Sequence, residues 1–343
     1  MQEPVTDPFA YGGQAVMEGV MMRGRREMAV AVRAPSGEIL VWSEPVKSSR
    51  LARKVRNWPF VRGAILLWDT MVLGMRALVF AATAATLPEP GAAGAVKPDD
   101  AAAGPVSGPL LWLTVGVSIL LAIGLFFVLP LVAVSALDHH IASSFVSNLV
   151  EGLIRLVLLV GYIGGVALLP DIRRVYAYHG AEHKTIHAWE AGDTLDAAHA
   201  KRYPLEHPRC GTGFLLVVVL LSIVVFVLLG RPPLLPRIAS RIVLVPVIAG
   251  IAYEFLKFGA KHAQNKVLRL ILQPSLKLQR LTTREPDAGM LDVAIAALLR
   301  VLVADGHIAA DDPRLANARP VDANAQPLPT PAAEGVPEPA VAD

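Results

Sequence analysis

Between residues 178 and 190 the chain reads Tyr-His-Gly-Ala-Glu-His-Lys-Thr-Ile-His-Ala-Trp-Glu, which sets His179, His183 and His187 at four-residue steps. On a helix these imidazoles share one face, and two at that spacing can reach a single ion. His179-x-x-Glu182-His183 also matches the inverted zinc-protease pattern, in which two histidines hold zinc and the glutamate activates a water. Zinc brings the pKa of a bound water to about 7, so a nearby carboxylate can take its proton at neutral pH. Five residues are not specific alone. Their weight grows because six of the nine histidines fall within residues 179–262. Downstream, His207-Pro208-Arg209-Cys210-Gly211 adds an imidazole and a thiol. Four protein ligands (His179, His183, His207, Cys210) would close a structural site, whereas three plus a water would make a catalytic one. The spacing leaves both open. The plainer reading is that these histidines cap or line an interfacial helix, with Lys184 and Glu190 as solvated surface.

Other polar groups carry less. Tyr11–Gly24 holds four glycines with Glu18 and Arg23. It reads as a tight turn leading into a hairpin, or as a loop packed against the histidines with Glu18 or Arg23 contributing. Its Gly12-Gly13-Gln14 tripeptide is too short to mean anything. Asp138-His139-His140 reads as a polar turn rather than a ligand cluster. Tyr253-Glu254 falls near the end of an apolar run, where an ionisable group is a functional candidate or an interfacial Tyr with a snorkelling Glu. Cys210 serves equally as a small buried residue or a ligand.

The elements that must position these groups are membrane helices. The chain of 343 residues is 54% hydrophobic and 18% charged, against about 45–50% and roughly 25% in soluble domains. The excess lies in long runs: Leu110–Leu137, Leu149–Leu169 (with Glu151 and Arg155 near its start), Phe214–Leu229 and Ile242–Leu256. Pro130 and Pro246 fall inside two of them, which is tolerable where neighbours satisfy the freed carbonyls. In Gly63–Leu87 the polar residues Arg62, Asp69, Arg76 and Thr83 form one stripe, as in an in-plane amphipathic helix or a bundle-facing one. Lys and Arg cluster before residue 63 and after the last span, which predicts both ends in the cytoplasm and an even number of crossings. Four spans meet that condition if Gly63–Leu87 does not cross. Segment Asp171–Thr212, with the histidines, then also lies inside, while Asp138–Asn148 and Gly230–Arg241 are short outer connections. The opening MQEPVTDPFA lacks a secretory signal pattern, so the first helices are expected to act as insertion signals.

The expected fold is therefore mainly α: a multi-pass integral membrane protein with about four transmembrane helices, one amphipathic or fifth helix, and a small N-terminal β-hairpin. Met28–Ala34 and Glu38–Val46 flank the turn Pro35-Ser36-Gly37 and supply the hairpin. Residues 88–108 read as an Ala/Gly/Pro linker and residues from 311 or so to 343 as a disordered tail. Met290–Ala304 has the spacing of a short cytoplasmic helix. One cysteine excludes an internal disulfide. The net charge of +3 and the placement of basic clusters beside spans point to anionic lipid and away from nucleic acid.

Three stretches together resemble the YqhQ-like bacterial membrane proteins: GGQAVMEGVMMRG at residues 12–24, YHGAEHKT at 178–185 and HPRCGT at 207–212. Tyr253-Glu254 and LQRLTTREP at 278–286 look familiar as well. The resemblance covers about residues 11–307 and is to a family of unknown function that is also described as metal-dependent enzymes. It implies Glu18, Arg23, His179, Glu182, His183, Lys184, His207, Arg209 and Cys210 as site candidates, and it demotes His187, where the family commonly carries a residue such as Asn. The leading expectation is a zinc-type hydrolase at the cytoplasmic face of the cell membrane. In it, His179, His183, His207 and Cys210 would be ligands, Glu182 the base, and Lys184 or Arg209 an anion stabiliser. The rival expectation is a membrane scaffold or assembly factor with a structural metal. A di-iron desaturase or hydroxylase carries little weight, since Asp138-His139-His140 falls on the opposite side from the other histidines. Substrate, protein partners and oligomeric state are not indicated.

Overall fold

In the N-terminal region, runs such as Gly19-Val-Met-Met-Arg23 and Glu27-Met-Ala-Val-Ala-Val-Arg33 are apolar almost throughout, the pattern of strands covered on both faces. In the computed structural model, which describes residues 9–46, 58, 60–88, 109–137, 139–262 and 265–328, they form an antiparallel meander. Its strands are β1 (Gly12–Val16), β2 (Gly19–Arg23), β3 (Glu27–Arg33) and β4 (Ile39–Pro45). The expected hairpin about Pro35-Ser36-Gly37 is the β3–β4 pair. The Gly-rich stretch before it is a second hairpin, with Met17-Glu18 at its tip between Val16 and Gly19.

Ten helices follow among the described residues: α1 (Val61–Ala85), α2 (Pro109–Ile123), α3 (Leu129–Ser135), α4 (Ser144–Val166), α5 (Pro170–Glu190), α6 (Ala197–Ala200), α7 (Gly211–Leu229), α8 (Leu234–Lys261), α9 (Lys266–Thr282) and α10 (Ala288–Asp305). A π-turn, Gly124–Val128, joins α2 to α3. The tail was expected to carry no structure, yet a 3-10 turn (Pro313–Leu315) leads to β5 (Ala318–Pro320), parallel to β4. Burial explains the difference: β4 would otherwise be an open edge, and Val321 and Ala325 fill apolar space beside it. The rest of the tail, residues 329–343, and nearly all of the linker lie outside the described residues.

Among the described residues, five helices are long and apolar enough to cross a bilayer: Val61–Ala85, Leu113–Ser135, Ser144–Val166, Gly211–Leu229 and Leu234–Gly259. The protein is a multi-pass membrane protein, and side chains such as Leu120, Val157 and Leu228 face outward into lipid. The bundle packs α7 against α4, α8 and α9. The expected outer connection Gly230–Arg241 is mostly helix instead, since α8 begins at Leu234 and buries Arg237 and Arg241. Glu151 of α4 makes this possible by pairing with both guanidiniums, at 3.0 and 2.8 Å, and with Arg155 at 2.8 Å. Pro130 cannot donate to the Phe126 carbonyl four residues earlier, and Arg155 Nε donates to that oxygen at 2.9 Å.

A lobe of sheet and helices sits against the bundle. One face of the sheet packs on α10 and α5 through Val20, Met22, Ala29, Ala31 and Val41. The other face, through Met21, Val30, Val32 and Trp42, is covered by Leu73, Ala77, Phe80 and Ala84 of α1. The expected short cytoplasmic helix is thus the central helix of the lobe. α1 itself is divided: its C-terminal half lies on the sheet, and its start lies on α8, where Arg62 forms a two-pronged pair with Glu254 at 2.7 and 2.5 Å.

Candidate metal centre

α5 carries the histidines. It begins with Pro170 in the first turn and Asp171 beside the helix dipole, and Ala177, Ala181, Ile186 and Ala188 seat it in the lobe core. Its other side faces the segment 203–212 and the end of α9. Gly180 permits this approach, because a Cβ there would lie 2.2 Å from the Arg284 carbonyl oxygen. The chain after α9 consequently crosses α5 closely, with Arg284 N donating to the Tyr176 carbonyl at 2.9 Å.

Two groups of metal-competent side chains meet along this face. In the first, ligand atoms of His179, His183 and Cys210 lie within 4.8 Å of one another. His179 Nε2 is 3.2 Å from Cys210 Sγ, while His179 Nδ1 contacts the Thr282 carbonyl at 2.8 Å. His183 Nδ1 likewise contacts the Leu205 carbonyl. A carbonyl only accepts, so each Nδ1 carries the proton and each Nε2 keeps its lone pair, the tautomer in which histidines bind metal. Cys210 is placed by capping α7, where its sulfur accepts from Thr212 N at 3.4 Å. The second group is His187, Glu190 and His207, again with ligand atoms within 4.8 Å of one another. His187 Nε2 donates to the Glu206 carbonyl at 3.0 Å, which leaves Nδ1 as its lone pair. The His183 and His207 rings, 5.6 Å apart, connect the groups. Burial holds the His183 imidazole below its ordinary pKa and brings His187 and His207 down to about 4, so neutral rings prevail at physiological pH.

Glu182, next to His183 in the chain, lies within the fields of His179 and His207. Its Oε1 accepts from Gly13 N of β1 at 2.9 Å, and its buried Oε2 has no hydrogen-bond partner. Burial raises its pKa, against the opposing fields of His179 and His207. A buried carboxylate oxygen without a donor is costly in a finished core and useful where a cation or water is to be met. Neutral imidazoles with free lone pairs, a thiol and this orphaned oxygen together fit a transition-metal ion such as zinc.

Residues 58–304 match a family described as a protein of unknown function, DUF1385. The chain is also 32% identical over 296 residues to the uncharacterized protein YqhQ of Bacillus subtilis (strain 168), covering 86% of this chain and 93% of that protein. This chain belongs to that family. No solved structure matches it. The family match runs from the start of α1 almost to the end of α10, so it takes in α5 and the His207–Cys210 segment and leaves β1–β4 outside.

The remaining candidates fall elsewhere. Lys184 is turned into the protein, donating to the carbonyls of Lys201 and Tyr203 at 2.8 and 2.7 Å and pairing with Glu285 at 3.0 Å. Its three donors are thereby used, which leaves none for a substrate anion. Glu18, at φ 53°, takes a two-pronged pair with Arg174 at 2.5 and 2.6 Å and a bond from Tyr178 at 3.3 Å, and so docks the first hairpin on α5. Arg23 reaches Thr70 at 3.5 Å, within the fields of Asp69 and Tyr253. Tyr253 packs on Gly63, and Glu254 holds the start of α1. Arg209 pairs with Glu190 beside the second group. His139 and His140 stack on each other, exposed, and join neither group; Asp138 lies outside the described residues.

Two contributors escaped the sequence reading. Glu190, read as solvated surface, follows His187 by three residues, a same-face spacing that was available in principle. Gln279 brackets His207, accepting from its N–H at 2.8 Å and donating to its carbonyl at 3.0 Å. No local motif signals that contact, because the partners are 72 residues apart.

Proposed function

We propose that this chain is a metal-dependent hydrolase of the cell membrane, working at the cytoplasmic face. The observation that carries the reading is Glu182, whose buried Oε2 has no partner and which lies within the fields of His179 and His207, beside the His179, His183 and Cys210 group. His179, His183 and Cys210 hold the ion, with Thr282 and Leu205 carbonyls fixing the two rings. Bound there, the metal would supply Lewis acidity and bring the pKa of a water to about 7. Glu182 takes the proton through Oε2 while the Gly13 amide steadies Oε1. Arg209 is the remaining cation for a substrate anion, in place of Lys184.

Chain parity supports the sidedness. β1–β4, α5 and α10 share one core, so they occupy one side of the membrane. The chain between β4 and α5, and that between Cys210 and α10, must then each cross an even number of times. The α2–α3 span with α4, and α7 with α8, form two such pairs, and α1, the fifth apolar helix, does not cross in this reading because its C-terminal half lies on the sheet. The basic segments flanking the spans support an inner position for the lobe.

Purified protein is expected to hold zinc or another transition metal, lost on His179→Ala or His183→Ala. Glu182→Gln should keep the metal and abolish hydrolysis across a panel of chromogenic esters, amides and phosphoesters. Folded, active protein without metal would overturn the reading. A second reading, a membrane scaffold with a structural ion, is favoured by the thiol of Cys210 and the Gln279 clamp on His207. In that case Glu182→Gln leaves function intact while the ligand variants unfold segment 191–210.

A further inference from the structure

His187, Glu190 and His207 are not absorbed by the single-ion centre. Their ligand atoms lie within 4.8 Å of one another, as closely as those of the first group. An independent observation that points to a ligand there is His207, which is only 3% exposed. Its Nε2 has no hydrogen-bond partner, since Glu190 Oε2 at 3.5 Å is near enough for charge attraction but not aligned for a bond. Arg209 N approaches the other ring nitrogen at 3.4 Å, the outer edge of hydrogen bonding, a contact that gives way when the ring proton moves to Nδ1. Arg209 holds the second oxygen of Glu190 and so orients the carboxylate with Oε2 toward the imidazoles.

We propose that this chain binds a second divalent transition-metal ion at His187, Glu190 and His207, which makes the face of α5 a two-ion centre. The proposal rests on the hydrolase reading for its first ion, and it names a separate ligand set. Two imidazoles and a carboxylate suit zinc with an open coordination position. The groups are neighbours, with the His187 and His207 rings 4.6 Å apart and the His179 and His183 rings 4.4 Å apart. Glu182, with its orphaned oxygen, lies within the fields of one histidine from each set, His179 and His207. Paired ions acting together clamp the attacking and leaving oxygens of one displacement, the arrangement used on phosphate esters and peptides.

The test is zinc stoichiometry of the full chain in detergent, stripped with chelator, reloaded with zinc alone and counted by elemental analysis after desalting. Wild type is expected to hold two equivalents, and His187→Ala and Glu190→Gln one each. Cys210→Ser, which changes only the first group, should also lower the count by one. Circular dichroism of each variant establishes that the loss is local, and His187→Gln, which keeps a polar side chain, guards against misfolding. One equivalent in wild type, retained in His187→Ala and Glu190→Gln, overturns the second site and leaves the first. One equivalent lost on His187→Ala and kept in Cys210→Ser overturns the two-ion proposal along with the first-site reading.

Discussion

Two buried polar clusters in this protein are built on opposite terms. In the bundle, Glu151 meets Arg155, Arg237 and Arg241, all at most 2% exposed, and Asn148, Ser147 and Ser222 take up further guanidinium donors. Both carboxylate oxygens of Glu151 are paired. On α5, by contrast, Glu182 and His207 each keep a buried atom with no partner. Desolvation acts on both clusters, and at Glu151 the carboxylate is compensated by the protein's own groups. A carboxylate closed by neighbours holds helices together, whereas one with an open oxygen keeps a coordination position free.

Substitutions can break or sharpen that contrast. The largest effect is expected from Glu151→Gln, which leaves three buried guanidiniums without a carboxylate. Loss of about 3–5 kcal/mol should appear as a collapse of thermal stability in detergent, with normal zinc content in whatever protein stays folded. A variant as stable as wild type would show that the bundle cluster is not structural. Next comes Gly180→Ala, whose Cβ must displace the Arg284 carbonyl from 2.2 Å. A cost of about 2 kcal/mol is expected from overpacking. It should be accompanied by weaker zinc binding, since the displaced segment carries the Thr282 carbonyl that holds His179. Lys184→Met should cost about 1–2 kcal/mol by leaving the Lys201 and Tyr203 carbonyls without their donor. Proteolysis within segment 191–206 would report it, and zinc content should hold. The smallest stability change belongs to Glu182→Gln: the amide oxygen can still accept from Gly13, and a buried charge is removed. Its melting temperature should match or exceed that of wild type while hydrolysis disappears. A marked loss of stability would place Glu182 with Glu151, among the closed groups.

What the residues disclosed in advance depended on distance along the chain. The four-residue steps of His179, His183 and His187 held because a helix converts them directly into a shared face. Cys210 was reachable as a thiol at the mouth of the next span, and it meets His179 and His183. His207 was assigned to their group and instead joins His187 and Glu190, since the turn from Leu205 to Cys210 is shaped by Gln279 and Arg280 of α9, invisible locally. Lys184 read as an anion stabiliser because its type suits that role, whereas its direction into the 201–203 turn is a tertiary fact. Arg237 and Arg241 fell in an expected outer connection because hydropathy counts them singly, without Glu151 from another helix. β5 was hidden in a Pro/Ala composition that ordinarily marks absence of structure, and only the open edge of β4 recruits it.

The division of α1 has a mechanical consequence. As a rod of 25 residues, about 38 Å long at roughly 1.5 Å per residue, it is pinned near one end to α8 by Arg62 and Glu254 and along its other half to the sheet. Gly74, midway, lies directly against the side chain of Gln14, one residue from the Gly13 amide that grips Glu182. α8, α1, β1 and the Glu182 carboxylate are thus joined in one unbroken series of contacts, so a tilt of α8 would be felt at the Gly13 amide.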